Sequence, residues 1–169
     1  MNLNMYSSSV PVFTQMLASL QDILQKAQAH AEAKKIDDQV FLQARIAPDM
    51  FHFIRQIQVA TDFATSISAR LAGVAVPESQ YEETSFAELQ ERLTQTLSFI
   101  KSLNEAQFTG SETREIVLRP GTPKEKKLSG HAYLLHYGLP QFFFHVTTAY
   151  AILRHHGVEL GKRDYMGQY

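Results

Sequence analysis

The stretch "QFFFHVTTAYAILRHHG", residues 141–157, decides the fold, because it predicts a helix that is apolar on nearly all sides. A helix of that kind is buried either in a protein core or in a membrane. Polar residues interrupt the surrounding apolar segment, residues 133–153, so it lacks the ~20 consecutive apolar residues that span a bilayer. We therefore predict the central helix of a soluble bundle and no membrane-spanning segment.

Three further segments predict amphipathic helices, because apolar residues recur in them three and four positions apart. The first covers residues 9–33 and the second covers residues 48–72. The third begins at Ser85, and the last helix covers residues 130–156. Pro140 is expected to kink or restart this last helix, because proline removes a hydrogen bond and crowds the preceding turn.

Residues that favour helix ends support these boundaries. Ser9 is placed as the N-cap of the first helix, and Pro48 suits the first turn of the second. Gly73 is a typical stop signal after a helix. Ser85 and Glu88 have the spacing of a capping box, in which each side chain bonds the backbone of the other residue.

The connection before the last helix predicts a small two-stranded β-ribbon. Ile116, Val117 and Leu118 precede a Pro-Gly-Thr-Pro turn, which is a strand followed by a turn signal. Residues 40–42 are expected to form a short turn or half-helix, and residues 158–169 an irregular tail. The sequence thus predicts one all-α domain, residues 1–169, folded as a four-helix bundle with this ribbon.

Composition excludes several classes of function. The chain has no cysteine, which excludes disulfides, thiolate catalysis and cysteine-bound zinc. Its 16 basic and 17 acidic residues are mixed along the chain, so no basic patch for a nucleic acid is expected. The N-terminus lacks the charged and apolar regions of a signal peptide. We expect a cytoplasmic protein that binds neither nucleic acid nor membrane.

The chain resembles an uncharacterised bacterial family of unknown function within the DinB/YfiT-like superfamily of four-helix bundles. The phrases that carry the resemblance are "MYSSSVPVF", "LQARIAPDMFHFIRQIQVATDFA" and "HYGLPQFFFHVTTAYAILRHHGVELGKRDYMG". The resemblance implies the bundle fold. It also implies a divalent metal bound by three histidines, two of them from an H-x-x-x-H pair on the last helix. Some superfamily members are thiol-dependent transferases or maleylpyruvate isomerase-like enzymes.

This sequence departs from the metal-binding pattern of the superfamily. It has no H-x-x-x-H pair, since Gln141 and Ala149 stand four residues before and after His145. If His52 faces His145 across the bundle, Asp49 or Gln56 could complete a site for Zn²⁺, Ni²⁺ or Mn²⁺, with water in the open positions. In the alternative reading Asp49 serves a helix N-terminus and His52 lies at the surface or at a subunit contact.

Polar residues among the apolar faces predict a histidine-containing pocket lined by Arg55, His136, Gln141 and Tyr150. Buried polar groups need partners, so a network inside the bundle is expected. Two functions stay open. The first is a bundle that binds a small ligand or has no catalytic role. The alternative is a metal-dependent enzyme of the transferase or isomerase type with a degenerate metal site.

The three consecutive phenylalanines at residues 142–144 predict a contact with a second subunit. Three neighbouring residues of a helix point in three directions, so one ring is expected to face away from the bundle core. An exposed apolar patch usually marks an interface. We therefore expect a homodimer.

Overall fold

The computed structural model describes residues 4–169 and contains a bundle of four long helices. The elements are α1 (Val10–Lys34), α2 (Asp38–Leu42), α3 (Phe53–Ala72), α4 (Phe86–Ser102), β1 (Glu115–Leu118), β2 (Lys126–Ser129), α5 (Gly130–Ala132), α6 (Leu139–His155) and α7 (Lys162–Met166). Helix α3 packs against α4 and α6, and α1 packs against the same two helices, so the four close around one core. The predicted all-α bundle is confirmed. Within residues 4–169, no helix combines the length and apolar character needed to cross a membrane.

Both predicted N-caps lie where the sequence places them, but only Ser85 forms the predicted side-chain bond to its helix. Ser9 precedes α1, yet its hydroxyl donates to the carbonyl of Met5 at 2.6 Å instead of capping the helix. Ser85 does cap α4, accepting from the Glu88 N–H at 3.2 Å. The Glu88 carboxylate reaches back to the Thr84 N–H, one residue before the cap, at 2.6 Å. The reciprocal half of the capping box is thus displaced by one residue.

The prediction that a helix starts at Pro48 is wrong, because α3 begins at Phe53. The Met50 N–H bonds the Ala47 carbonyl at 3.0 Å and closes a turn around the proline. Proline fits such a turn as well as it fits the first turn of a helix, so the sequence signal is ambiguous. The correction removes Asp49 from the helix and leaves it exposed in the turn.

The predicted ribbon is confirmed as an antiparallel pair of strands, β1 and β2, with Ile116 opposite Leu128. Side chains alternate between the faces of a strand. Ile116 and Leu118 are accordingly buried, while Glu115 is exposed. Ile116 and Leu118 pack against the core and so hold the ribbon to the bundle just before the last helix.

The last helix is interrupted by a π-helical turn, Tyr133–Gly138, between α5 and α6. The turn ends immediately before the segment containing Pro140, so the predicted restart of the helix is found. Proline has no N–H and crowds the carbonyl one turn earlier, and a wider turn relieves both problems. Gly138 lets this segment approach α3, since an added Cβ would lie 2.7 Å from Ile67 Cδ1.

The C-terminal tail is not irregular as predicted, because it forms α7 and packs against α1. Ser19 of α1 donates its hydroxyl to the Asp164 carbonyl at 2.7 Å, and Gln15 donates to the Met166 carbonyl at 2.8 Å. Polar side chains of α1 thus donate hydrogen bonds to the backbone carbonyls of α7. Five residues are too few to show a helical period in a sequence.

Candidate functional site

His145 lies on the face of α6 that packs against α3. It is 7% exposed, and its Nδ1 lies 2.7 Å from Oε1 of Gln56 on α3. Two residues 89 positions apart are therefore joined by a buried hydrogen bond across the bundle. The sequence singled out both residues, but as ligands of one metal ion.

The hydrogen bonds of Gln56 define the protonation of the His145 ring. The Gln56 amide nitrogen donates to the Phe51 carbonyl at 3.0 Å, so its oxygen faces His145 as an acceptor. The reverse amide orientation would set two acceptor oxygens against each other. His145 must then carry its proton on Nδ1, which leaves Nε2 with a free lone pair.

Three aromatic rings surround the imidazole of His145. Phe51 and Phe63 lie nearly parallel to it, with ring centroids at 6.4 and 5.9 Å, and Phe144 meets it edge-on at 5.2 Å. Phe51 and Phe144 are themselves 52% and 56% exposed. We call these four residues and Gln56 the His145 cluster. The cluster fixes the polar imidazole beside apolar rings that are exposed to solvent.

The Nε2 atom of His145 has no hydrogen-bond partner in the described part of the chain, residues 4–169. The fully buried side-chain atoms without a partner in that range are the hydroxyls of Ser68 and Ser111. Nε2 is not one of them, so it keeps contact with solvent. An acceptor that is oriented by the protein and still reachable is available to a ligand.

Burial, with a smaller contribution from the positive charge of Arg55, lowers the pKa of His145 from 6.5 to about 4. The ring is therefore neutral at pH 7 and accepts hydrogen bonds through Nε2. Burial and the charges of Arg45 and Arg55 also lower the pKa of His52. Both pKa shifts favour the neutral imidazole, and the nearby arginine charges disfavour a cationic ligand.

His52 occupies the N-cap position of α3, where its Nδ1 accepts the Arg55 N–H at 3.4 Å. Asp49 is exposed in the preceding turn, and the Gln56 oxygen is turned to His145. No three His, Asp or Glu side chains gather in residues 4–169 as a metal site. The described residues do not fit the three protein ligands of a catalytic metal. Metal binding by His52 and His145 alone, with water in the open positions, stays a prediction.

The four residues predicted to line the pocket are divided between different places. Arg55 lies close enough to the His145 cluster to lower the pKa of the imidazole. His136 is exposed, and Gln141 is half-buried at the start of α6. Tyr150 packs against Tyr165 of α7, with ring centroids at 5.7 Å. The structure thus brings Arg55 to the cluster but turns His136 and Tyr150 elsewhere.

Sequence reasoning missed an ionic cluster around Arg92 of α4. Its side chain is 11% exposed and pairs at 2.7 Å with both Asp62 of α3 and Glu83. The guanidinium also donates to the Ser79 hydroxyl at 2.6 Å and the Gln80 carbonyl at 2.7 Å. These contacts bind the crossover loop, residues 74–84, to α3 and α4. Since Arg92 and its partners lie in three separate segments, no local spacing reveals them.

Burial opposes ionisation of Glu83, but hydrogen bonds from Arg92 and Gln58 contribute to holding the pKa of this carboxyl below its ordinary value. The Gln58 amide donates to the second carboxylate oxygen at 2.7 Å. Glu83 is thus held as an anion, and Arg92 supplies the opposite charge. The crossover loop forms one wall of a cleft with a volume of about 780 Å³.

The whole length of the bundle matches one protein family. Residues 5–166 match the family model described as Domain of unknown function (DUF1993). The chain belongs to this family. The DUF1993 domain is also similar to a solved structure, the crystal structure at 1.83 Å resolution of a DinB family member protein from Shewanella denitrificans.

The likeness to that structure extends over nearly all of both chains. The two are 41% identical, the match covers 97% of this DUF1993 domain and 92% of the other chain, and the TM-score is 0.91. The predicted membership in an uncharacterised DinB-like family is confirmed. A comparison with curated proteins finds no match.

Proposed function

We propose that this DUF1993 domain binds a small molecule at the His145 cluster, with His145 Nε2 as the hydrogen-bond acceptor. The observation that carries the proposal is the hydrogen bond between His145 Nδ1 and Gln56 Oε1, 2.7 Å long. It holds the ring in one orientation and one tautomer while Nε2 stays open. A group fixed before binding loses little entropy when a ligand arrives.

The surroundings of Nε2 favour a neutral ligand with an aromatic body and a hydroxyl donor. The exposed ring of Phe51 offers apolar surface for stacking. The charge of Arg55 disfavours a cation at this place. A donor is required, because the lone pair of a neutral imidazole accepts a hydrogen bond.

The same chemistry favours binding over general base catalysis. A catalytic base works best when its pKa lies near the operating pH. A pKa of about 4 makes His145 a weak base at pH 7. The ring can therefore orient a hydroxyl without removing its proton.

The proposal is tested with phenol as the probe and anisole as its matched control. Both molecules stack, but anisole has no hydroxyl proton to donate. We expect phenol to shift the Nε2 resonance of His145 in long-range ¹H–¹⁵N spectra and to saturate at about millimolar concentration. Anisole is expected to leave that resonance nearly unchanged.

Two variants separate a specific site from surface stacking. His145→Ala should abolish saturable phenol binding, while His155→Ala, at an exposed histidine on the same helix, should retain it. Equal binding of phenol by both variants would refute the proposal. Near-stoichiometric Zn²⁺, Ni²⁺ or Mn²⁺ in the wild type, lost in both His52→Ala and His145→Ala, would replace it with the metal-dependent alternative.

A further inference from the structure

The cleft beside the crossover loop lies between α3, α4, the loop and the π-turn, and it does not contain His145. Its volume of about 780 Å³ is within the range of pockets that hold small molecules. The cleft and the His145 cluster share Phe63, which packs on one side against His145 and lines the cleft. The two places are otherwise built from different residues.

Arg70 lines this cleft near the C-terminal end of α3. Its guanidinium donates to the Tyr133 hydroxyl at 2.9 Å. In the chain from residue 4 to residue 169, Arg70 forms no ion pair with an aspartate or glutamate. A guanidinium has five N–H donors, and its fork geometry matches a carboxylate. Arg70 is thus a half-buried cation without a protein counter-charge.

The walls around Arg70 are aromatic. Tyr133 and Tyr137 of the π-turn stack with ring centroids 5.8 Å apart, and Phe63 meets Tyr137 edge-on at 6.0 Å. Phe99 of α4 lines the same cleft. π-helical turns occur often at functional sites, and this one sets both tyrosines on the cleft wall. These rings give the cleft an apolar wall against which a planar ligand can pack.

Acidic residues line the cleft on the loop, on α3 and on α4, and Arg92 already pairs with two of them, Asp62 and Glu83. Glu78 and Glu82 are exposed on the loop itself. These carboxylates add negative charge near the cleft entrance. A ligand with several negative charges is repelled there, whereas a single carboxylate can be neutralised by Arg70.

From these observations we propose that the cleft binds an aromatic monocarboxylate. Its carboxylate pairs with the guanidinium of Arg70, and its ring packs among Phe63, Phe99 and Tyr137. The site shares Phe63 with the His145 cluster, but the charge that binds the carboxylate, Arg70, is not part of that cluster. Neither proposal requires the other.

The test uses benzoate as the probe, with neutral benzamide and dianionic phenyl phosphate as matched ligands. We expect benzoate to bind at least about tenfold tighter than benzamide, because only benzoate forms a charge-assisted bond with Arg70. Phenyl phosphate should bind more weakly than benzoate. In ¹H–¹⁵N spectra the benzoate shifts should concentrate at Thr65, Ser66 and Thr96, which line the cleft.

Arg70→Gln should lower benzoate affinity to that of benzamide. Arg154→Gln removes an exposed arginine of α6 outside the cleft and should leave benzoate binding unchanged. Circular dichroism checks that each variant is folded. If Arg70→Gln does not fold, the wild-type affinities for benzoate, benzamide and phenyl phosphate, together with the wild-type shift map, test the proposal.

The outcomes distinguish this proposal from the one at His145. His145→Ala should keep benzoate binding, and Arg70→Gln should keep phenol binding. Benzoate binding no tighter than benzamide binding, or absent at millimolar concentration, would overturn the assignment, as would shifts outside the cleft. Tighter binding of phenyl phosphate would overturn the restriction to a single carboxylate.

Discussion

Acidification should destabilise the folded domain through His145. Burial and Arg55 lower the pKa of this ring to about 4, while the unfolded chain keeps a value near 6.5. As the pH falls below about 6.5 the unfolded state binds the proton first. The contribution of the neutral ring to stability is therefore fully present above about pH 6.5. It declines as the pH falls from about 6.5 to about 4, and below about 4 it is lost and changes no further.

The size of the effect follows from the two pKa values. Each pH unit between them corresponds to about 1.4 kcal/mol, so the limit is about 3 kcal/mol. Nε2 keeps contact with solvent, which eases protonation in the folded state. We therefore expect a loss of about 2 kcal/mol in the free energy of unfolding between pH 7 and pH 4.

The assay is urea unfolding followed by circular dichroism at several pH values from 4 to 7. Carboxyl groups and the other histidines also titrate in this range, so the wild type is compared with His145→Gln, which has no imidazole. Any constant cost of the substitution cancels, and the pH dependence of the difference isolates His145. His155→Gln, at an exposed histidine, should keep the wild-type slope. Equal slopes in the wild type and His145→Gln would refute the reasoning.

Three other predictions concern the ionic cluster, the π-turn and the exposed phenylalanine. Arg92→Met should cost about 3 kcal/mol in urea unfolding, because Asp62 and Glu83 lose their counter-charge, whereas Lys26→Met, at a pair with a half-exposed lysine, should cost less than about 1 kcal/mol. The Arg92 cost should shrink as the pH falls through the lowered pKa of Glu83, because a protonated carboxyl needs no counter-charge; a cost that is constant with pH would point to lost packing instead. Gly138→Ala should destabilise by about 1–3 kcal/mol in thermal melts, because its Cβ meets Ile67, and Gly161→Ala, with its nearest neighbouring atom 3.9 Å away, should be close to neutral. Phe144→Asp should convert the predicted homodimer to a monomer by light scattering, and a monomeric wild type would show that the dimer prediction is wrong.

The long helices could be predicted because each buries one face, and burial leaves a period in the sequence. The start of α3 could not, since Pro48 is compatible with both a turn and a helix. Helix α7 was missed because its order depends on side chains of α1, such as Ser19, which bond to its backbone. Structure imposed by distant partners leaves no local pattern.

The candidate site could be predicted only in part, because its contacts also join residues that are far apart in the chain. His145 and Gln56 stand out as polar residues on apolar helix faces, and the two do meet across the bundle. Sequence spacing cannot show that they bond to each other instead of sharing an ion, because that depends on the rotation of α3 against α6. The ionic cluster around Arg92 was not predicted, since its charged residues belong to helices and a loop far apart in the chain.

The π-turn before α6 also affects how the last helix is aligned with relatives. A π-turn holds about one residue more than an α-turn, so a relative with a regular helix there needs a one-residue gap within residues 133–138. Deleting one of these residues would rotate Tyr133 by about 100° relative to α6 and away from Arg70. A single insertion or deletion at this place would thus remodel one wall of the cleft while leaving His145 on its own face of the bundle.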